Sequence, residues 1–420
     1  MELPREFVKM MEKMPGVDIG MFLSSMQRDV PVSVRLNSRK PGASFEGMKP
    51  VKWCENAFYL PQRPEFIFDP LLHAGAYYVQ EASSTIYETV TKNISGKLGN
   101  IPLNVLDTCA APGGKTTAII NGLPDGSFIW ANEYVAKRAS ILKENLTKWG
   151  YPDIKVTNLD TSFFSRGEQL FDIVAVDAPC SGEGMMRKDE FAIKQWSPDL
   201  VSKCASLQKE ILKNVSSSVA PGGFLIYSTC TFNTIENETN ALFLKDELGF
   251  EPYDLSFPSE WGILPGIDIN FPVYRFMPHA TEGEGLFLAV FRKPGEWKQR
   301  KISESKIEPA NRDSLKKNNK LKEDNKREKK SHNKIKESDD GLTVEKILSV
   351  DFNPDSVISV NLKLEEALTY LRGETIILDP SVPKGTVVVK YNDFPLGAVK
   401  NIGTRANNLY PKPWRIKKVL

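Results

Sequence analysis

Residues 104–120, NVLDTCAAPGGKTTAII, decide how the rest of this 420-residue chain reads. NVLD (104–107) is short, apolar and ends on an acid, as a covered strand does. The turn that follows holds two alanines, a proline and two glycines, so its backbone can approach a ligand closely. KTTAIINGL (115–123) then carries helical spacing and presents N-terminal amides beside the turn. Two familiar ligands fail the spacing. A P-loop needs glycine where Cys109 stands, although Gly114-Lys115-Thr116 fits its end. A dinucleotide fingerprint needs G-x-G-x-x-G, which Ala-Pro-Gly-Gly does not supply.

Outward from this turn, short apolar runs alternate with longer helical patterns. SFIWA (127–131), IKVTNL (154–159), FDIVAVD (171–177) and GFLIYST (223–229) read as strands, several apolar almost throughout. The stretches 134–149 and 198–219 read as helices between them, and GLFLAVFRK (285–293) can supply a last strand. The alternation predicts an α/β fold with a doubly wound, Rossmann-like sheet.

Glu133 follows the second strand, nineteen residues after Gly114, where an acid can bind both hydroxyls of a ribose. Asp160 ends the third strand and can accept from an adenine amine. A glycine-rich turn, a ribose acid and a polar group at the adenine are the positions an S-adenosylmethionine site uses. Each acid alone reads as well as a helix cap or a solvated strand end. Their joint register with the loop favours the cofactor.

Two more strand ends carry cysteines: Asp177-Ala178-Pro179-Cys180 after the fourth strand and Ser228-Thr229-Cys230 after the fifth. Ligands of open α/β sheets sit beyond the carboxyl ends of the strands, so both thiols face the cofactor's side. A helix expected to begin near Asn233 or Thr234 would depress a neighbouring thiol pKa. Methylation of a pyrimidine at C5 is the reaction that needs a thiol beside a methyl donor. A thiolate added at C6 makes C5 nucleophilic, and an acid at N3, suited to Asp177, assists. A stacked target base must first leave its stack.

Composition sets the frame around this core. Lys+Arg number 55 and Asp+Glu 53, a formal net charge of +2, which neither demands nor excludes a nucleic-acid partner. Five scattered cysteines without a C-x-x-C pair, and three histidines, argue against a metal site. No apolar run reaches membrane-spanning length and no export signal is recognisable, so a reducing cytoplasm is the expected compartment. A monomer is the default expectation. Cys54 and Cys204 read as core, and Cys109 as structural. Residues 301–340 hold thirteen Lys/Arg and nine Asp/Glu with no aromatic residue, which reads as a flexible linker. Four regions result: 1–95, 96–295, the linker 296–340, and a β-rich 341–420. Residues 391–420 carry six Lys/Arg and one acid with Tyr410 and Trp414 interleaved, a composition suited to RNA or to an ordinary charged surface.

CAAPGGKT (109–116), DAPCSGEGMMRKD (177–189) and YSTCTFNTIENE (227–238) resemble the RNA 5-methylcytosine methyltransferases of the NSUN and RsmF type. VRLN (34–37) and YYVQEASS (77–84) are similar to that family's N-terminal motifs, and the resemblance covers about 1–295. It implies Cys230 as nucleophile and Cys180 as the residue that resolves the adduct. It implies that Cys109, Ala110, Ala111, Pro112, Gly113, Gly114 and Lys115, with Glu133, Asp160 and Asp177, hold S-adenosyl-L-methionine. Asp177 would also face the base at N3. The resemblance further implies an N-terminal RNA-binding region and a PUA-like C-terminal RNA-binding domain, a weaker match. The implied partner is RNA, 16S rRNA or the 30S subunit, with tRNA as the runner-up. Arg187 and Lys188 read equally as phosphate contacts or a solvated pair. A DNA-type enzyme would attack with Cys180 instead, and a non-catalytic RNA-binding or ribosome-assembly protein is the alternative of another class.

Overall fold

The computed structural model describes residues 2–167, 169–301 and 341–418. From 302 onward, the expected linker 296–340 lies outside the described residues. The chain divides into two compact units, Met1–Arg300 with Leu348–Asp351, and Lys301–Ile347 with Phe352–Leu420.

The first unit begins with helices Arg5–Glu12 and Ile19–Met26, the second capped by Asp18, whose Oδ1 accepts the Met21 amide at 2.9 Å. They bury Phe7, Met11 and Phe22 against Met186, Trp196 and Phe232, with Phe22 edge-on to Phe232 at 5.4 Å. Next comes an antiparallel sheet of β1 (Val32–Leu36), β2 (Lys49–Val51), β3 (Cys54–Leu60) and β4 (Tyr77–Val79) in the order β2-β3-β1-β4.

The large sheet contains β5 (Asn104–Asp107), β6 (Phe128–Asn132), β7 (Ile154–Thr157), β8 (Phe171–Asp177), β9 (Val219–Thr229), β10 (Glu251–Pro252), β11 (Tyr274–Phe276) and β12 (Leu286–Arg292). Its order is β10-β12-β9-β8-β5-β6-β7, with β11 on β12. The five strands from β9 to β7 are parallel, and β12 lies antiparallel beside β9. FDIVAVD is apolar along its length because its two faces enter different cores. Ile173 and Ala175 join one cluster with Val105 and Ile226, whereas Val174 and Val176 join another with Leu106 and Tyr227. Strand order reverses between β5 and β8, where Asp107 pairs with Ala175 and Asp177, two residues further along β8, reaches the crevice.

Two expectations are corrected. β7 stops at Thr157 rather than 159, because Asn158 turns to donate to the carbonyls of Glu133 and Tyr134 while the Leu159 amide donates to Asn132. Regular helix after Cys230 starts at Glu238, not near 233. Asn233 accepts the Glu236 amide at 2.8 Å and holds residues 233–236 in a turn.

The second unit has its own sheet of β13 (Ser359–Asn361), β14 (Gly385–Tyr391), β15 (Phe394–Asn401) and β16 (Ala406–Asn408), with β13 parallel to β14. Asn392 and Asp393, both at positive φ, make the two-residue hairpin between β14 and β15. Helix Leu364–Leu371 buries Ala367, Leu368, Tyr370 and Leu371.

Candidate active site

The glycine-rich turn sits at the end of β5. Gly113 has φ +111°, a conformation that a side chain would strain, and the helix Gly114–Gly122 starts directly after it. The turn is braced from behind: Pro112 O accepts Asn145 Nδ2 at 2.8 Å and Tyr78 OH at 3.2 Å, and Ala111 O accepts Arg138 at 2.7 Å. Cys109, Ala110, Ala111, Pro112, Gly114 and Lys115 line a cleft of about 320 Å³. A larger cleft of about 670 Å³ holds Cys109, Glu133 and Asp160. Both clefts reach Asp177 and Cys230.

Glu133 is only 3% exposed. Its Oε1 accepts the Val135 amide at 2.9 Å, while Oε2 receives no hydrogen bond and has Arg138 3.4 Å away. A buried carboxylate oxygen without a donor is what a hydroxyl-bearing ligand satisfies. Asp160 Oδ1 accepts the Ser162 amide at 2.9 Å and caps the short turn after it. Asp107 takes a hydrogen bond from Thr116 at 2.6 Å, and burial pushes its carboxyl up to about 7. Burial also lifts the Cys109 thiol to about 12, which keeps it unreactive.

At the other end the two strand-end cysteines meet, with Cys180 Sγ and Cys230 Sγ 3.2 Å apart. The contact with Cys230, and then burial, push the Cys180 thiol well up, and either sulfur can donate across the contact. Asp177 stands beside them with both oxygens engaged. Lys115 Nζ pairs with Oδ2 at 2.8 Å and Ser228 Oγ donates to Oδ1 at 2.7 Å. Because Ser228 spends its one proton there, Tyr87 OH, 2.8 Å away, donates to Ser228. Tyr87 and Ser228, and the buried Glu183, Asn233 and Glu236 behind the cysteines, were not singled out from the sequence. The motifs 177–189 and 227–238 contain four of the five, so their polar residues were the available signal. Tyr87 offered none, since its partner lies 141 residues away.

Arg187 is committed to backbone, donating to Gly283 O at 2.9 Å and Asp29 O at 2.7 Å, so it ties chain segments together rather than facing a phosphate. Lys188 pairs with Glu284 and lines the smaller cleft. Cys54 is buried as expected, but Cys204 is half-buried on the helix Pro198–Ser216 and not in the core. Among the described residues no group of three His, Cys, Asp or Glu is placed to hold a metal ion. No helix of the described residues is long and apolar enough to cross a membrane.

The family model for 16S rRNA methyltransferase RsmB/F matches residues 101–292, the N-terminal domain of 16S rRNA methyltransferase RsmF matches 3–82, and the methyltransferase RsmF PUA domain matches 357–416. The chain belongs to the RsmB/F methyltransferase family. With membership comes S-adenosylmethionine as cofactor, and the open Glu133 oxygen and the glycine-rich turn fit it. The chain is 34% identical over 304 residues to ribosomal RNA small subunit methyltransferase F of Escherichia fergusonii. That alignment covers 68% of this chain and 62% of the relative, just under two thirds of its length. The protein of the same name from Cronobacter sakazakii is 29% identical over 467 residues, covering 98% of this chain and 96% of the relative. Among solved structures, a methyltransferase homolog protein from Pyrococcus horikoshii is 24% identical with a TM-score of 0.59, covering 69% of this chain and 95% of that one. NSun6 from Pyrococcus horikoshii, solved with SFG, is 20% identical with a TM-score of 0.58, covering 70% and 99%. These two likenesses establish that the RsmB/F core keeps the α/β methyltransferase fold.

Proposed function

We propose that this RsmB/F protein methylates C5 of a cytosine in 16S ribosomal RNA, free or in the 30S subunit, through a covalent bond from Cys230 to C6. The observation that carries the reading is the pair of thiols 3.2 Å apart beside Asp177, where the two clefts meet. S-adenosylmethionine supplies the methyl group. Glu133 would take the ribose hydroxyls on its open Oε2, Asp160 the adenine amine, and residues 109–115 the rest of the cofactor.

Cys230 adds to C6 of the base, and the electron density this releases makes C5 the nucleophile. Asp177, oriented by its contacts with Lys115 and Ser228, faces N3 and assists the addition there. The smaller cleft, lined by Glu81, Lys115, Lys188 and Glu284, would receive the base lifted from its stack. After transfer a base takes the C5 proton, the electron pair of that bond restores the C5–C6 double bond, and the C6–sulfur bond breaks with its pair leaving on Cys230. Cys180, protonated and donating to Cys230, stabilises the departing thiolate. The assignment of roles follows the resemblance of the two cysteine motifs to the RNA 5-methylcytosine methyltransferases, and the upward shift of the Cys180 thiol suits a donor. The substrate follows from the names of the relatives and from the PUA domain match in the C-terminal unit, read as an RNA-binding module. Free thiols at both positions suit a reducing cytoplasm.

The test uses Cys180→Ala with S-adenosylmethionine and 16S rRNA, followed by a denaturing gel. A protein–RNA adduct should accumulate and should vanish in the double variant with Cys230→Ala. No adduct with Cys180→Ala, together with adduct in the single variant Cys230→Ala, would reverse the two roles.

A further inference from the structure

Two loops, 179–184 and 230–237, carry the thiols, and they are fastened to each other by carboxylates that the proposed chemistry does not use. Glu183 is fully buried. Its Oε2 accepts the amides of Phe232 at 2.6 Å and Asn233 at 2.9 Å. Its Oε1 accepts Asn233 Nδ2 at 2.9 Å and Trp196 Nε1 at 3.0 Å. Glu236, equally buried, reaches back the other way. Its Oε2 accepts the Ser181 amide at 3.0 Å and Gln208 Nε2 at 2.7 Å, and its Oε1 accepts Asn233 Nδ2 at 2.8 Å. The two amide hydrogens of Asn233 thus span one glutamate from each loop. The Gly184 amide donates to Cys230 O at 2.8 Å, and a Cβ at Gly184 would meet that oxygen at 2.8 Å.

Nothing in the thiols themselves fixes their separation, because an S–H group is a weak donor and sulfur a weak acceptor. The spacing has to be imposed by the backbone on either side. On the Cys230 side that backbone is Cys230 O, Phe232 N and Asn233 N, and all three are bound by residues 183 and 184. A buried carboxylate is costly unless its oxygens are satisfied, so this fastening is held in one geometry.

We infer that Glu183 is a positioning residue that sets the distance between Cys180 and Cys230, so that losing it slows release of the product more than attack on the base. This rests on the reading that Cys230 attacks and Cys180 assists release. Attack requires one sulfur and a base free to adjust in an open cleft. Release requires two sulfurs in contact.

Glu183→Gln keeps an acceptor for the two backbone amides but turns an NH2 toward Asn233 Nδ2 and Trp196 Nε1, donor against donor. Glu183→Asp keeps the charge and shortens the reach, and serves if the first variant does not fold. Each is incubated with S-adenosylmethionine and 16S rRNA beside the unaltered enzyme and Cys180→Ala, and adduct and methylated product are both counted. The ratio of adduct to product should rise about tenfold or more over the unaltered enzyme. A ratio unchanged in a folded variant, whether both quantities fall together or neither does, overturns the inference. If Cys180→Ala also gives no adduct, the assignment of the thiols has failed, and the inference falls with it. If Cys180→Ala gives adduct and neither Glu183 variant does, only the inference has failed.

Discussion

The two ends of the crevice are built on opposite plans. At the cofactor end, Glu133 leaves an oxygen without a donor, and the glycine-rich turn is braced only from behind. At the thiol end nearly every polar atom is already used: Asp177 has two partners, and Glu183 and Glu236 together take seven hydrogen bonds. The proposed chemistry accounts for the difference. A binding site must keep groups open for its ligand, because the ligand supplies their partners. A site that makes and breaks a bond must hold reactive atoms in place before the substrate arrives.

The contrast is broken most severely at Asp177. Asp177→Asn removes the partner of Lys115 as well as the proposed contact to the base, and methyl transfer should drop about 100-fold in kcat, as loss of a positioned acid–base group does. The check is initial rate at saturating S-adenosylmethionine; an unchanged kcat would place the acid elsewhere. Glu133→Gln should act on the other end alone. Losing charge-assisted bonds to two hydroxyls should raise KM for S-adenosylmethionine about tenfold, with kcat nearly intact. A fall in kcat without a change in KM would show that the two ends are not separable in this way.

The smallest effect is on stability and sharpens the electrostatic side of the comparison. Asp107 is buried at the base of the cofactor turn with its folded pKa raised to about 7, above the unfolded value. The folded protein therefore holds a proton that the unfolded chain has lost. Its contribution is fully present below the unfolded pKa and is lost as pH rises through about 7. Between pH 6 and 8 the cofactor-free enzyme should lose roughly 1 kcal/mol of stability from this group. Urea unfolding of the unaltered protein and of Asp107→Asn measures it, and parallel pH slopes in the two would refute the assignment.

Much of the fold was legible in the chain because covered parallel strands leave continuous apolar runs, as FDIVAVD and NVLD do. The thiol pair was legible too, since both cysteines end adjacent parallel strands and the strand ends share a crevice. Boundaries set by single side chains were not. Asn158 ends β7 early and Asn233 delays the helix after Cys230, and each does so through a side-chain hydrogen bond that has no periodicity to read.

Local chemistry along the sequence determined the glycine-rich turn, the two acids in register with it and the two strand-end cysteines, because backbone freedom, strand period and residue type act over a few positions. The tertiary structure alone decided how those groups are held. Tyr87 reaches Ser228 from a helix 141 residues away, Arg187 turns to backbone carbonyls instead of solvent, and Glu183 and Glu236 lock two loops together. A buried polar group must find partners wherever packing has put them, and that requirement is met in space rather than along the chain.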